Sequence, residues 1–403
     1  MLLIKLLLGS EVNCLSHKFP WLNTQFFREK RVNMIIPFVN LNAQYLSIKE
    51  EVDNAIGSVI RDSAFISGKY VKSFEEHFAS YVNAKHCIGV GNGTDALFIA
   101  LKTIGVKSGD EVIVPANTFI ATSEAVAMCG ARVVFVDCDP ETYTIDVHQL
   151  RSIITSKTRA IIPVHLYGQP ADMDPILDMA RKNNICIIED AAQAHGSKYK
   201  GRSIGSMGVF ACFSFFPGKN LGAYGDAGAL VTNDDELAHK ARMFANHGRI
   251  EKYNHNIEGI NSRLDGLQAA ILDVKLRHLD DWTKRRIKVA MKYNDALNAV
   301  VVTPKVRPDV RHVYHLYVIR VNNRERIIKH LFDKGISTGI HYPIALPFLK
   351  AYRYLSHKSE DFPVAHALQT EILSLPIHGD INDDQLEYVI NELKNAVQES
   401  GHD

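Results

Sequence analysis

Residues 210–228 have the sequence FACFSFFPGKNLGAYGDAG, in which an aromatic run leads into a glycine-rich turn. The apolar run predicts a buried strand over residues 209–216. Pro217-Gly218 is a turn signal, and Lys219 follows it directly. Desolvation disfavours a charged ammonium, and a neutral amine is a nucleophile towards carbonyl groups. The stretch therefore predicts a reactive amine on a glycine-rich loop, with an ordinary solvated turn lysine as the alternative.

Length and composition are those of an ordinary globular protein. The chain has 403 residues, of which 46% are hydrophobic and 23% are charged, and this length allows roughly two to three domains. A net charge of +1 predicts no nucleic-acid or anionic-membrane partner, and no apolar run is long enough to span a bilayer. The 6 cysteines have no metal-type spacing, so we expect reduced thiols, a cytoplasmic protein and no bound metal.

Residues 1–33 differ in character from the rest of the chain. Met1 to Leu8 form a short apolar run that Lys5 interrupts, without a charged segment before it or a small-residue cleavage site after it. We interpret residues 1–33 as an N-terminal extension or an over-long start, and a docking arm is the alternative.

Apolar runs and helical patterns alternate from residue 86 to residue 188, which predicts an α/β fold with a mainly parallel sheet covered on both faces. A long amphipathic helix with some breaks is predicted over residues 265–297. A smaller α+β module is expected to follow it, with strands at 314–321 and 336–340, and helices at 324–334 and 385–397. We therefore predict an N-terminal extension (1–33), a large domain (34–275) and a small C-terminal domain (276–403).

A second glycine loop lies between a predicted strand (86–90) and a predicted helix (96–104). In a strand–loop–helix unit, free backbone N–H groups and the helix dipole both face an anion. Gly93 and Thr94 are therefore candidate phosphate ligands, and Thr94 can instead cap the helix. A plain capped turn is the alternative.

The same loop offers a rival function. Gly91-x-Gly93-x-x-Ala96 fits a dinucleotide fingerprint, and Glu111 lies at about the spacing of the ribose-binding acid. However, Glu111 precedes its predicted strand, whereas the fingerprint places the acid at the far end of the strand. An NAD-dependent oxidoreductase is therefore our second hypothesis.

Three further side chains follow predicted strands. Asp190 comes after the strand at 185–188, where a carboxylate can pair with a protonated ring nitrogen, as in pyridoxal phosphate sites, or cap a helix. Gln193 can reach the same ligand if the segment turns helically. Phe119 lies beyond another strand and can stack on a planar ring or fill the core.

Four motifs occur in order, and together they resemble the pyridoxal-phosphate sugar aminotransferases of the DegT/DnrJ/StrS family. The motifs are TDAL (94–97), EDAAQ (189–193), SFFPGKN (214–220) and GINSRLD (259–265). The resemblance extends from Met34 to the C-terminus. It implies an aspartate-aminotransferase-like fold (fold type I), pyridoxal 5′-phosphate as cofactor, and a homodimer with a shared active site. It also implies deoxysugar biosynthesis for lipopolysaccharide or S-layer glycans.

The resemblance implies a role for each residue around the reacting ring. Lys219 would be the Schiff-base lysine and the proton shuttle. Asp190 would hold the pyridine nitrogen, and Gln193 would hold the ring hydroxyl. Some relatives have histidine in place of this lysine and are dehydratases, so Lys219 favours transamination.

The same resemblance implies how the phosphate is held. Ser214, together with Gly93 and Thr94, would bind it, and Phe119 would stack on the ring. Asn261 would reach the phosphate from the partner subunit, so that dimerisation completes the site.

The loop at 216–228 most resembles transaminases that convert dTDP-3-keto-6-deoxyhexoses into dTDP-3-amino-3,6-dideoxyhexoses, and the resemblance implies L-glutamate as amino donor. Galacto and gluco products differ at one hydroxyl, which the sequence does not distinguish. Arg249, Lys252, His341 and Tyr342 are candidate contacts for the nucleotide sugar, with solvated surface side chains as the alternative. A pyridoxal-phosphate-binding regulator without turnover is a third hypothesis, and Lys219 argues against it.

Overall fold

The computed structural model describes residues 34–400. The predicted extension, residues 1–33, lies outside the described residues. The helices are α1 (Leu41–Ser47), α2 (Lys49–Arg61), α3 (Lys69–Val82), α4 (Gly93–Thr103), α5 (Ile120–Met128), α6 (Val147–Ile153), α7 (Met173–Asn183), α8 (Asp235–Ala245), α9 (Gly266–Leu297), α10 (Arg324–Asp333), α11 (Pro363–Glu371) and α12 (Asp383–Ser400). The strands are β1 (His86–Val90), β2 (Glu111–Pro115), β3 (Arg132–Val136), β4 (Thr158–Ile161), β5 (Cys186–Asp190), β6 (Lys198–Tyr199), β7 (Arg202–Ser203), β8 (Phe210–Ser214), β9 (Gly228–Thr232), β10 (Val310–Arg311), β11 (Tyr317–Arg320) and β12 (Ile372–Leu375).

The large sheet has the strand order β1-β9-β8-β5-β4-β2-β3. The strands from β8 to β3 pair in parallel, and β9 is antiparallel to both of its neighbours, β1 and β8. Strands β2 and β9 are buried along their whole length, as expected where helices cover both faces of a sheet. This arrangement confirms the predicted α/β fold with a mainly parallel sheet.

Successive residues along a strand pack alternately into two hydrophobic cores, one on each face of the sheet. In β2, Val112 and Val114 pack on one side of the sheet, and Ile113 packs on the other. The second core is strongly aromatic, since the Phe78 ring makes edge contacts with Phe213 and Phe215 at centroid distances of 5.0 and 5.2 Å. Burial of each such ring contributes about 2 kcal/mol to folding, so β8 is firmly fixed where it leads towards Lys219.

The carboxyl ends of the parallel strands meet at one edge of the sheet. Asp190 ends β5, Ser214 ends β8, and the loops to Gly93 and Phe119 leave β1 and β2 at the same edge. In open α/β sheets, ligands bind outside this edge. The topology therefore brings together residues that are far apart in the sequence.

The long helix α9 links the two parts of the molecule without a break, whereas the sequence predicted some interruptions. Its first half, including Leu272 and Leu279, packs in the aromatic core beside the large sheet. Its second half, including Tyr293 and Leu297, packs with β11, β12, α10 and α12. The predicted domain boundary at 275/276 falls inside this helix and stays a prediction.

The predicted strand at 336–340 is wrong. Ile336 forms a single bridge with Ile36, and Gly339 forms a single bridge with Ser374 of β12. The segment changes partner between these two residues, so no continuous ladder forms. Among the helices formed by residues 34–400, none combines the length and apolar composition that a bilayer-spanning segment requires.

Candidate active site

A cavity of about 480 Å³ opens at the carboxyl edge of the large sheet, a size typical of small-molecule sites. The predicted site residues that line it are Gly93, Thr94, Phe119, Asp190, Gln193, Ser214, Lys219, His341 and Tyr342. A larger groove of about 900 Å³ runs beside β1 and α3, and none of the predicted site residues lines it. The predicted site residues therefore gather in the smaller cavity.

Lys219 follows the turn at the end of the β8 strand, where its backbone N–H donates to the Phe216 carbonyl at 2.8 Å. Its side chain lies in the cavity wall, and desolvation lowers its pKa from 10.5 to about 8. The negative charge of Asp190 opposes this shift. A substantial fraction of the amine is consequently neutral near physiological pH and can act as a nucleophile or a base.

Asp190 is buried, and its carboxylate has two hydrogen-bond donors. Oδ2 accepts from the Thr122 hydroxyl at 2.7 Å, and Oδ1 accepts from the Ala192 N–H at 3.1 Å. Burial raises the pKa of Asp190, while these hydrogen bonds and the charge of Lys219 oppose the rise. A buried carboxylate of this kind gains from a cationic partner, such as a protonated ring nitrogen.

The segment after Asp190 forms turns and no helix, so the helix-cap alternative for Asp190 is wrong, as is the helical turn expected up to Gln193. Gln193 nevertheless lines the cavity. Its Oε1 accepts from the Tyr167 N–H at 2.6 Å, and its Nε2 donates to the Tyr342 hydroxyl at 3.2 Å. The amide thus joins the Asp190 segment to the segment of His341 and Tyr342.

Behind the site, a buried pair anchors strand β5. Glu189 Oε2 hydrogen-bonds to His165 Nε2 at 3.1 Å, and Glu189 Oε1 accepts from the N–H groups of Met207 and Gly208. His165 Nδ1 accepts from the Ala171 N–H at 3.1 Å, which places the ring proton on Nε2. This satisfied network holds the end of the strand on which Asp190 lies.

The loop before α4 has the form of an anion site. The side chain of Asn92 caps the helix by accepting from the Asp95 N–H at 2.8 Å, so the alternative in which Thr94 caps the helix is wrong. A Cβ atom on Gly93 would lie 2.7 Å from Ser214 Cβ, so only glycine permits this approach. The N-terminus of α4 and the residues Thr94 and Ser214 line the cavity, and such a combination suits a phosphate group.

Aromatic side chains also line the cavity. Phe119 is 52% exposed, and its ring lies 5.5 Å from that of Tyr342. His341 stacks on Phe38 at 5.6 Å and hydrogen-bonds to the Ser374 hydroxyl at 2.8 Å. Burial, and then the charge of Lys219, lower the pKa of His341 to about 4, so the ring is neutral at physiological pH.

The sequence interpretation missed several residues that the fold brings to the cavity. These are Phe38, Thr122, Asp226 and His315. Thr122 lies one turn after Phe119 on α5, and no local pattern indicates that its hydroxyl reaches a carboxylate 68 residues away in the chain. Such contacts arise only from the order of the strands.

Three predicted residues do not line the cavity of this subunit. Arg249, Lys252 and Asn261 belong to the loop between α8 and α9, where Arg249 bridges to His255 and Asn261 bridges to Asn246. The roles predicted for these three residues stay predictions.

The dinucleotide hypothesis conflicts with the geometry. Glu111 begins β2 at the amino edge of the sheet, whereas Gly93 lies at the carboxyl edge. The Glu111 carboxylate accepts from the Thr155 hydroxyl at 2.6 Å and lies 3.6 Å from Arg132. It cannot bind a ribose beside the glycine loop.

The fold and the site together define an aminotransferase that depends on pyridoxal 5′-phosphate. Residues 46–394 match the DegT/DnrJ/EryC1/StrS aminotransferase family. The chain belongs to this family. Aminotransferases of the family use pyridoxal 5′-phosphate, and solved structures similar to this chain include forms that hold it.

The sequences of individual relatives align with this chain over nearly its whole length. A pleiotropic regulatory protein of Geobacillus stearothermophilus is 47% identical, over 89% of this chain and 98% of its own length. The dTDP-3-amino-3,6-dideoxy-alpha-D-galactopyranose transaminase of Aneurinibacillus thermoaerophilus is 44% identical, over 88% of this chain and 98% of its own length. The crystal structure of S. venezuelae DesV in complex with a ketimine intermediate has a TM-score of 0.89 at 41% identity, and covers 90% of this chain and 99% of that one.

The residues that line the cavity suit pyridoxal 5′-phosphate. They combine an amine of lowered pKa, a buried carboxylate suited to a cation, and a helix N-terminus with hydroxyl groups. These three features match the aldehyde, the ring nitrogen and the phosphate of pyridoxal 5′-phosphate, respectively.

Proposed function

We propose that this protein transfers the amino group of L-glutamate to the 3-keto carbon of a nucleotide-linked sugar, a dTDP-3-keto-6-deoxyhexose. The observation that supports this most strongly is the presence of Lys219 and Asp190 in one cavity with the phosphate loop. The named dTDP-sugar transaminase among the relatives supports the choice of substrate. The product is a dTDP-3-amino-3,6-dideoxyhexose.

Each site residue has a defined task in this proposal. Pyridoxal 5′-phosphate, when bound, supplies the electron sink for a carbanion. Asp190 would hold the ring nitrogen, Gln193 the ring hydroxyl, and Lys219 would hold the cofactor covalently. In turnover, the neutral Lys219 amine accepts the proton from the α-carbon of the amino donor and releases it again.

The outer residues of the site would hold the phosphate and the substrate. Gly93, Thr94 and Ser214 would bind the cofactor phosphate, and Phe119 would stack on its ring. His341 and Tyr342 also line the cavity, and they are the candidates for contact with the sugar. The neutral His341 ring has one nitrogen bonded to Ser374 and can offer the other to a sugar hydroxyl.

We also propose a cytoplasmic homodimer in which each subunit completes the site of the other. Two apolar side chains that line the cavity are exposed, Phe119 by 52% and Phe216 by 56%. The loop between α8 and α9 exposes Ile250, Tyr253 and Ile257. Pairing of these surfaces would cover apolar area. It would also bring Arg249, Lys252 and Asn261 to the diphosphate and phosphate groups.

The test is product analysis with purified protein. We expect conversion of a dTDP-3-keto-6-deoxyhexose in the presence of L-glutamate and pyridoxal 5′-phosphate, with NMR identifying the aminated carbon and the epimer. Lys219→Ala should abolish conversion, while Lys200→Ala, at an exposed lysine paired with Asp174, should not change it. Conversion of a UDP-linked sugar in preference to the dTDP sugar would overturn the substrate assignment.

A further inference from the structure

A second buried lysine lies close to the Lys219 loop. Lys275, on α9, has no exposed surface, and its ammonium donates to the Gly222 carbonyl. The same nitrogen lies 4.9 Å from the centroid of the Tyr224 ring. Among residues 34–400, no carboxylate forms an ion pair with it.

This arrangement is costly for folding. A buried ammonium without a counter-ion loses its hydration, and one carbonyl and one aromatic face replace it only in part. Desolvation accordingly lowers the pKa of Lys275 to about 7. A methionine of similar length would pack in this position without that cost, so the benefit of the lysine must lie elsewhere than in stability.

The two groups that Lys275 contacts belong to the loop that starts at Lys219. This loop is tightly folded, because a Cβ atom on Gly222 would lie 2.3 Å from the Pro217 carbonyl oxygen. A displacement at Gly222 is therefore transmitted to the turn that precedes Lys219. Lys219 is three residues from Gly222 in the chain.

Helix α9 holds the loop at a second point. Gln268 Oε1 accepts from the Tyr224 N–H at 2.8 Å. Gln268 precedes Lys275 by two helical turns, so both side chains lie on the same face of α9. From the other side, Asn220 Nδ2 donates to the Val313 carbonyl at 3.1 Å. The chain after Lys219 is thus fixed between α9 and the segment around Val313.

We propose that Lys275 is a positioning residue for transamination, which holds the Gly222 carbonyl and the Tyr224 ring so that the Lys219 amine stays aimed at the cavity beside Asp190. The proposal rests on the proposed role of Lys219. In this proposal the buried ammonium of Lys275 serves catalysis, and its burial lowers the stability of the fold.

The test compares Lys275→Met with Lys284→Met, a control at an exposed α9 lysine that pairs only locally with Asp281. Three quantities are measured: thermal unfolding of the cofactor-free protein, hydrogen–deuterium exchange of the 216–228 segment, and kcat. For Lys275→Met we expect an unchanged or higher Tm, faster exchange of the loop amides, and a kcat lower by roughly 10- to 100-fold, the effect of a misplaced reacting group. Lys284→Met should match the wild type in all three.

Two outcomes would overturn the proposal. One is an unchanged kcat together with unchanged loop exchange. The other is a parallel fall in Tm and kcat, which is what a purely structural residue produces. Should Lys275→Met fail to fold, Tyr224→Leu removes the ring contact and leaves the lysine in place. Faster exchange of the loop amides and a lower kcat are then expected, and unchanged values of both would overturn the proposal. If Lys219→Ala retained activity, the proposed function would fail, whereas loop exchange in the cofactor-free protein would still test whether Lys275 fixes the loop.

Discussion

The cavity shifts the acid–base properties of Lys219 and Asp190 in opposite directions. Desolvation lowers the pKa of the amine to about 8 and raises the pKa of the carboxyl group, because burial disfavours the charged form of each. Each charge partly opposes the shift of the other. The amine is therefore available as a nucleophile, and the carboxylate gains from a cationic ring.

The lowered pKa of Lys219 predicts a specific pH dependence. Only the neutral amine reacts with an aldehyde, and the folded protein loses this proton at about pH 8, before the unfolded chain does at about 10.5. The rate at which cofactor-free protein reacts with pyridoxal 5′-phosphate should rise with pH and level off above about 8. Stopped-flow absorbance measures this rate. A rate that is flat across that range would contradict the placement of Lys219 in a desolvated wall.

The hydroxyl of Thr122 should strengthen cofactor binding through Asp190. Thr122→Val removes the 2.7 Å hydrogen bond to the carboxylate and keeps the shape of the side chain. We expect the dissociation constant of pyridoxal 5′-phosphate to increase by roughly 10- to 100-fold, since a hydrogen bond to a charged group contributes roughly 1.5–3 kcal/mol. Fluorescence titration measures it, and Thr103→Val, whose hydroxyl bonds only to its own helix, is the control. Equal affinities for the two variants would exclude this role of Thr122.

At the scale of the elements, the contact of α4 with β8 shapes the phosphate end of the cavity. Gly93→Ala places a Cβ atom 2.7 Å from Ser214 Cβ, so the helix N-terminus must move. We expect at least a roughly tenfold loss of cofactor affinity, because backbone N–H groups at a helix N-terminus bind phosphate only in register. Gly57→Ala, in the interior of α2, should leave affinity unchanged. Because Ser214 is itself a predicted phosphate ligand, Ser214→Gly serves as the reference for a double-mutant cycle. Gly93→Ala should cost less affinity in the Ser214→Gly background than in the wild type, and equal costs would argue against steric contact as the cause.

The elements that sequence patterns predicted well are those set by local chemistry. The apolar run of β1 and the turn before Lys219 are each determined by a few neighbouring residues, and Asp190 is the last residue of a strand that its apolar residues indicate clearly. The segment at 336–340 was mispredicted because two separate partners, Ile36 and Ser374, determine its conformation. Long-range contacts of this kind leave no local pattern.

The candidate site shows the same difference between features set by local sequence and features set by long-range contacts. The placement of Lys219 and Asp190 at the cavity could be predicted, because one follows a turn signal and the other lies at a strand end, and their chemical roles stay predictions. The partners that adjust them could not be predicted, since Thr122 and Lys275 approach from α5 and α9 through the packing of the sheet. The alternative in which Thr94 caps the helix was wrong, because Asn92, two residues earlier, has a side chain that suits a cap equally well.

At the scale of the whole molecule, the cavity lies between the large sheet and segments of the C-terminal part. His315, His341 and Tyr342 come from the latter. The exposed apolar surface around the cavity mouth is what a second subunit would cover. The shared site of the proposed homodimer therefore has a direct consequence for mixed dimers.

Complementation tests this sharing. Lys219→Ala and Asn261→Ala homodimers should each have little activity, since each lacks one contribution to every site. A hybrid of the two contains one intact site, so random exchange should restore about a quarter of the wild-type activity, as half of the dimers are hybrids. Activity is measured after mixing and re-equilibration of the subunits. A mixture as inactive as its components would show that Asn261 serves no site in the partner.

The most direct test of the account is to locate the covalent bond to the cofactor. The protein loaded with pyridoxal 5′-phosphate is reduced with borohydride, digested, and mapped by mass spectrometry. We expect a single modified peptide with the cofactor on Lys219. Modification of Lys275 or of a surface lysine, with Lys219 unmodified, would contradict it.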